Sequence, residues 1–170
     1  MAPAWLVLSA SAALLAAGGN VAGAQERQSA PACGTGVEPS VLVHVTGLKS
    51  GTGRVRVQAY GPDPATFLKK GRWVRRVEAE PAGRQSLDVC LSVPAPGRYA
   101  IAVRHDANAN GSSDWNDGGG FSRNPHLSLL HMKPAFADTA ILLRRGAATR
   151  TEIVLQYRRG LNIGPLKTGD

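Results

Sequence analysis

The chain has 170 residues, of which 43% are hydrophobic and 19% charged, and 20 Lys plus Arg against 12 Asp plus Glu give a formal net charge of +8. This is one domain with enough apolar residues for a packed core, which excludes a wholly disordered chain, a coiled coil and a multi-span membrane protein. Gly 20 and Pro 11 suit many turns between short strands and argue against a helical fold.

Residues 4–18 carry no charge, and Ala22-Gly23-Ala24 follows them as a small-x-small cleavage pattern. The apolar run is shorter than the about 20 residues a membrane-spanning helix needs. Residues 1–24 therefore read as a secretory signal peptide, although the n-region has no Lys or Arg. The expectation is export to the periplasm or the cell exterior, with no transmembrane span after cleavage. Residues 25–39 then form an N-terminal extension. In an oxidising compartment a lone pair of cysteines favours a disulfide, so Cys33 and Cys90 are expected to pair.

Val41, Val43 and Val45 alternate with Leu42, His44 and Thr46, and Val55, Val57 and Ala59 alternate with Arg54, Arg56 and Gln58. That is a hairpin with one apolar face per strand. Pro62-Asp63-Pro64 stops the second strand, and Ala65 to Lys70 reads as a short helical turn that places Phe67 and Leu68 inward. Trp73 to Glu80 is a third strand. Leu87, Val89, Leu91 and Val93 form the clearest apolar stripe, with Asp88, Cys90 and Ser92 facing the other way. Pro94-Ala95-Pro96-Gly97 is a turn that feeds Tyr99, Ile101 and Val103. After a long Gly- and Asn-rich loop, Thr139 to Leu143 and Thr151 to Tyr157 complete about seven strands. The class is all-β, an antiparallel β-sandwich over residues 40–157. The polar residues 158–170 are expected to be a loose C-terminal tail.

The sharpest chemical signal is the segment Asp106 to Asp117. With Asp106 as position 1, side-chain oxygens fall at 1, 3 and 5 as Asp106, Asn108 and Asn110, and Gly111 stands at the sharp turn of position 6. Ser112 at 7 offers its carbonyl, and Asp114 and Asp117 stand at 9 and 12. This is the ligand order of a 12-residue calcium loop, in which alternate residues aim hard oxygens at one centre. The last position is Asp rather than the longer Glu, and a strand precedes the loop, so this is not an EF-hand. Three carboxylates and no Lys or Arg lie in the window, which favours a cation among them. The competing reading is an Asx-rich turn without an ion.

Val45-Thr46-Gly47-Leu48 with Gly53-Arg54-Val55-Arg56-Val57, then Pro96-Gly97-Arg98-Tyr99-Ala100-Ile101-Ala102-Val103 followed by His105-Asp106 and Asn108-Ala109-Asn110-Gly111, resemble the bacterial DUF2141 family. Gly120-Phe121-Ser122-Arg123-Asn124 and Pro134-Ala135-Phe136-Ala137-Asp138 resemble its closing segments. The likeness covers roughly residues 40–157. It implies an exported Ig-like or transthyretin-like β-sandwich of undefined function, and it brings no catalytic residues. Relatives usually carry a longer stretch with Pro and Glu where this chain has only Trp115-Asn116-Asp117-Gly118-Gly119.

His105 beside Asp106 is the one feature that favours a small metal-dependent hydrolase. His126 and His131 lie five apart in an apolar loop, a weak metal pair, and no HExxH or GxSxG motif is present. The basic residues come in pairs, Lys69-Lys70, Arg75-Arg76, Arg144-Arg145 and Arg158-Arg159. After export these point to an anionic envelope glycan or lipid, or to a protein partner, and not to nucleic acid. The first expectation is a non-catalytic exported module with calcium in the acidic loop. The alternatives are the hydrolase and a purely structural envelope domain.

Overall fold

The computed structural model describes residues 33, 34 and 36–166. The signal peptide read at 1–24 and the first part of the extension at 25–39 lie outside the described residues. Among the described residues ten strands form: β1 Ser40–Thr46, β2 Arg54–Tyr60, β3 Arg75–Ala79, β4 Leu87–Ser92, β5 Gly97–Asp106, β6 Gly118–Phe121, β7 Ala140–Leu143, β8 Thr149–Val154, β9 Gln156–Arg159 and β10 Asn162–Pro165. A 3-10 turn at Pro64–Thr66 and one short helix, α1 Phe136–Thr139, interrupt them.

The strands make two sheets, β4-β1-β8 and the larger β10-β9-β6-β5-β2-β3, with β7 also paired to β5. β7 takes Gly97 to Ala100 of β5 and β6 takes Ala102 to His105. The larger sheet is antiparallel throughout, but in the smaller one β1 and β8 run parallel, Val43 opposite Thr151 and Val45 opposite Ile153. The expected β-sandwich is present, and this one pair departs from its antiparallel pattern. A parallel pair needs a long crossover, and here β2 to β7 lie between β1 and β8 in sequence, five strands of the larger sheet and β4 of the smaller one.

The alternating residues seen in the sequence fill the space between the sheets. Val41, Val43 and Val45 of β1 meet Val55 and Val57 of β2, Val89 and Leu91 of β4, and Ile101 and Val103 of β5 in one buried cluster. Ile153, Leu155 and Tyr157 join the same cluster, although they do not belong to one strand. The chain changes sheets at Leu155. Val154 pairs with Thr46 in the smaller sheet and Gln156 with Gly119 in the larger one. Leu155 keeps its N–H bonded to Thr46 O at 3.0 Å and is wholly buried.

A second apolar cluster lies on the other face of the larger sheet, where Ala100, Ala102, Tyr60, Phe121 and Leu127 pack with Phe67, Phe136 and Ile163. Phe67 makes edge contacts with Tyr60 and Phe136 at 5.4 and 5.8 Å between ring centroids. The turn expected after Pro64 does carry Phe67 and Leu68 onto the fold, but onto this outer cluster.

The loose tail expected at 158–170 is corrected over 158–165, and 167–170 lie outside the described residues. Residues 156–165 form the β9–β10 hairpin, Asn162 opposite Arg159 and Gly164 opposite Tyr157. The physical reason is that two apolar residues in a polar segment find cover: Ile163 packs on the outer cluster and Leu166 against the main core. The cysteines pair as expected, Cys33 to Cys90 with 5.5 Å between their Cα atoms. Cys90 stands beside Leu42 in the β4–β1 ladder, so the bridge ties the N-terminal segment to the outer face of the smaller sheet.

Candidate functional site

β5 delivers the acidic loop. Side chains along a strand alternate, so Arg104 and Asp106 share the outer face of the larger sheet and His105 points into the core. His105 is wholly buried, Nε2 lies 2.8 Å from Thr52 O, and Nδ1 lies 2.7 Å from Tyr157 Oη. A carbonyl can only accept, so Nε2 carries the hydrogen and Nδ1 accepts from the tyrosine hydroxyl. Both nitrogens are committed inside the protein. The expectation that His105 serves a hydrolase together with the acidic loop is not met by this geometry, because His105 and Asp106 face opposite sides of the sheet.

Asp106 is 3% exposed and organises the loop. Its Oδ1 accepts from Asn110 N–H at 3.1 Å, and Oδ2 accepts from Gly111 N–H at 2.8 Å and from Arg104 Nη2 at 3.2 Å. Gly111 has φ +78°, the left-handed conformation that the tight turn requires and that favours glycine. Asn108 Nδ2 and Asn110 Nδ2 both donate to Asp114 Oδ2 at 2.9 Å, and Asn116 N–H donates to Asp114 Oδ1 at 2.8 Å. Asp117 Oδ2 accepts from Asp114 N–H at 3.4 Å. Ser112 donates its N–H to Asn110 Oδ1 at 2.8 Å, and its side chain is exposed.

The structure therefore brings Asp106, Asn108, Asn110, Asp114 and Asp117 into one bonded group. It also brings in a residue outside the 12-residue window, Arg104. Its Nη1 donates to Ser113 Oγ at 2.7 Å, and its Nε lies 3.8 Å from Asp117 Oδ2. The sequence carried the signal for this cation: positions two apart on a strand share a face, so Arg104 had to stand beside Asp106. Lys49 joins from the β1–β2 connection, Nζ donating to Asn116 Oδ1 at 2.6 Å.

The loop pushes two of its carboxyls in opposite directions. Asn116 N–H and the Asn108 amide hold Asp114 below the usual carboxylate range. Burial pushes Asp117 up, and the charges of Asp114 and Asp106 add to that against the pull of Arg104. Asp117 Oδ1 is buried with no hydrogen-bond partner, and so is Arg104 Nε. Among the described residues no three His, Cys, Asp or Glu side chains form a metal-ligand group. A cation in the loop would thus draw on the Asn oxygens as well.

Part of the basic surface is used internally. Arg54, Arg56 and Arg76 all pair with Glu78. Hydrogen bonds from Arg76 and then Arg56 hold its carboxyl down at about 2, against the opposing effect of burial. Among the described residues no helix is long and apolar enough to cross a membrane.

A family model described as an uncharacterized protein conserved in bacteria, DUF2141, matches residues 43–151. The chain belongs to this family. The match runs from β1 into β8 and contains the whole acidic loop, so the loop is a part of the DUF2141 domain and not an appendage to it. No curated protein and no solved structure matches the chain.

Proposed function

We propose that this DUF2141 protein is a non-catalytic module, exported to the periplasm or the cell exterior, whose loop after β5 takes a calcium ion. The observation that carries the reading is Asp117 Oδ1, a buried carboxylate oxygen with no partner, next to the carboxylates of Asp106 and Asp114. Buried polar atoms are nearly always bonded, and an orphan calls for a ligand, a water or an ion. Side-chain oxygens of Asp106, Asn108, Asn110, Asp114 and Asp117 with the Ser112 carbonyl would supply the about six hard oxygens calcium needs. Three carboxylates stand against the guanidinium of Arg104 and the ammonium of Lys49, which leaves one negative charge for a divalent ion to answer. Arg104 competes for Asp106 and Asp117, which places the affinity in the weak range of extracellular modules, about 10⁻⁴ to 10⁻³ M. The Cys33–Cys90 bridge supports an oxidising compartment.

Thermal unfolding in EDTA, in calcium and in magnesium tests this. At about 100 times its dissociation constant calcium adds roughly 2.7 kcal/mol, a midpoint rise of roughly 5–10 °C. The rise should vanish in Asp114→Ala, whose side chain is at the surface, and in the isosteric Asp117→Asn. No rise in the wild type would mean that Arg104 and Lys49 balance the loop without an ion. The remaining positive charge is read as a contact with an anionic envelope surface. Retention on phosphatidylglycerol vesicles that falls with salt supports this, and the absence of retention at low salt removes it.

A further inference from the structure

The outer face of the larger sheet carries a pocket of about 170 Å³ beside the acidic loop. Its floor is Gly119, and its walls include Phe121, Leu127, Leu129, Met132 and Ile163. β6 reads Gly118-Gly119-Gly120-Phe121, and two of its three glycines have a packing reason. A Cβ on Gly118 would stand 2.4 Å from the Tyr157 ring, and one on Gly120 would stand 2.7 Å from Ile153 Cγ2. Gly119 has none: a Cβ there would meet nothing nearer than Val103 O at 3.9 Å. Glycine inside a strand weakens it and often marks a place where a ligand approaches the backbone. The missing side chain of Gly119 is what leaves the pocket open.

The wall opposite is tied to β9 at Leu127 and Pro125. Gln156, itself buried, accepts from Leu127 N–H at 3.3 Å and donates to Pro125 O at 2.9 Å. At the mouth Trp115 is 74% and Met132 57% exposed, a large apolar exposure for a solvated loop. The Arg158 guanidinium lies over the Trp115 ring, 3.3 Å from its centroid, and Nε donates to Gly160 O. Arg158 makes no ion pair among the described residues, although Asp114 and Asp117 also line the pocket. Those two carboxylates already face Arg104 and the amide donors of the loop, so Arg158 is the charge left for a ligand.

We propose that the pocket over Gly119 binds a small amphiphile, with an apolar group the size of one aromatic ring or a short alkyl chain and an anionic head held by Arg158. A dry cavity of roughly 150 Å³ accommodates benzene, which sets the size of the apolar part. The proposal goes beyond the calcium reading and does not require it.

The test is an NMR titration of the oxidised full chain with hexanoate, hexanol and hexylamine, following the Trp115 indole N–H and the Met132 methyl, first in EDTA and then in calcium. Hexanoate should bind up to about fivefold tighter than hexanol, the worth of one exposed charge pair, and hexylamine should bind weakest. Gly119→Leu should abolish binding of hexanoate and hexanol. Arg158→Gln should remove the advantage of hexanoate over hexanol, which keeps the head assignment testable if the Leu variant fails to fold. Hexylamine binding tightest, saturation by none of the three in either arm, or full binding in a folded Gly119→Leu protein would overturn the proposal. Binding in EDTA supports the pocket even where calcium does not shift the unfolding midpoint.

Discussion

Tyr157 and His105 show how one pair of polar residues can sit in an apolar core. The Lys49 N–H donates to Tyr157 Oη at 3.0 Å, Tyr157 donates to His105 Nδ1, and His105 Nε2–H donates to Thr52 O. Every group in this chain of hydrogen bonds is satisfied, and its two ends lie in the connection between β1 and β2. Tyr157→Phe removes one oxygen and leaves both the Lys49 N–H and His105 Nδ1 without a partner, for an expected cost of about 1–3 kcal/mol. Urea unfolding would measure it, and a loss below about half a kcal/mol would mean that water replaces the hydroxyl. The same residue sets an alkaline limit. Burial pushes the Tyr157 phenol up to about 12, from an ordinary value of 10.0. The folded state therefore holds this proton more tightly than the unfolded chain. Its contribution is complete below pH 10 and is lost as the pH rises towards about 12. Stability measured across this window should fall in the wild type and should fall less in Tyr157→Phe.

At the level of the element, β6 separates two kinds of glycine, and single substitutions should tell them apart. Gly118→Ala drives a methyl group into the Tyr157 ring, an overpacking of the type that costs about 1–3 kcal/mol. Gly119→Ala meets open space and should be neutral or stabilise by up to about 1 kcal/mol, because it restricts the unfolded chain. Equal destabilisation of the two would show that β6 tolerates no side chain on either face. This strand also marks where sequence reading runs out. Strands β1, β2, β4 and β5 were legible because valine, leucine and isoleucine alternate with polar residues. A run of glycines has no alternation to read, and the close approach of Tyr157 and Ile153 explains two of the three. Likewise the stripe Ile153, Leu155, Tyr157 was legible as one buried face, but the change of sheet at Leu155 was not. A bend between two sheets leaves the period of two intact. In the candidate site the loop oxygens were legible from their spacing. Arg104 was missed because it lies outside the 12-residue window, and the pocket was missed because Leu127, Met132 and Ile163 come together only through β9 and β10.

At the level of the molecule, the chain crosses between the two sheets five times, at β1–β2, β3–β4, β4–β5, β7–β8 and β8–β9, and each strand of the smaller sheet is tied to the larger one. β1 lies at its centre between β4 and β8, and its parallel partner β8 arrives only near the end of the chain. The smaller sheet thus closes late in sequence, with all the strands of the larger sheet but β9 and β10 already made. The Cys33–Cys90 bridge acts on this sheet, since Cys90 belongs to β4 and stands beside β1. It closes a segment with a sequence separation of 57 that holds β1, β2, β3 and most of β4. In the chain-entropy account a loop of that length, cross-linked in the unfolded state, is worth about 4 kcal/mol. Cys33→Ser with Cys90→Ser should lower the unfolding free energy by about that amount in urea, and the reduced wild type should match the double variant. Both should keep the slope of unfolding against urea close to that of the oxidised protein if the sandwich itself is unchanged. A loss under about 1 kcal/mol would show that the N-terminal segment and the smaller sheet are held by packing, with the bridge closing a loop that is already compact in the unfolded chain.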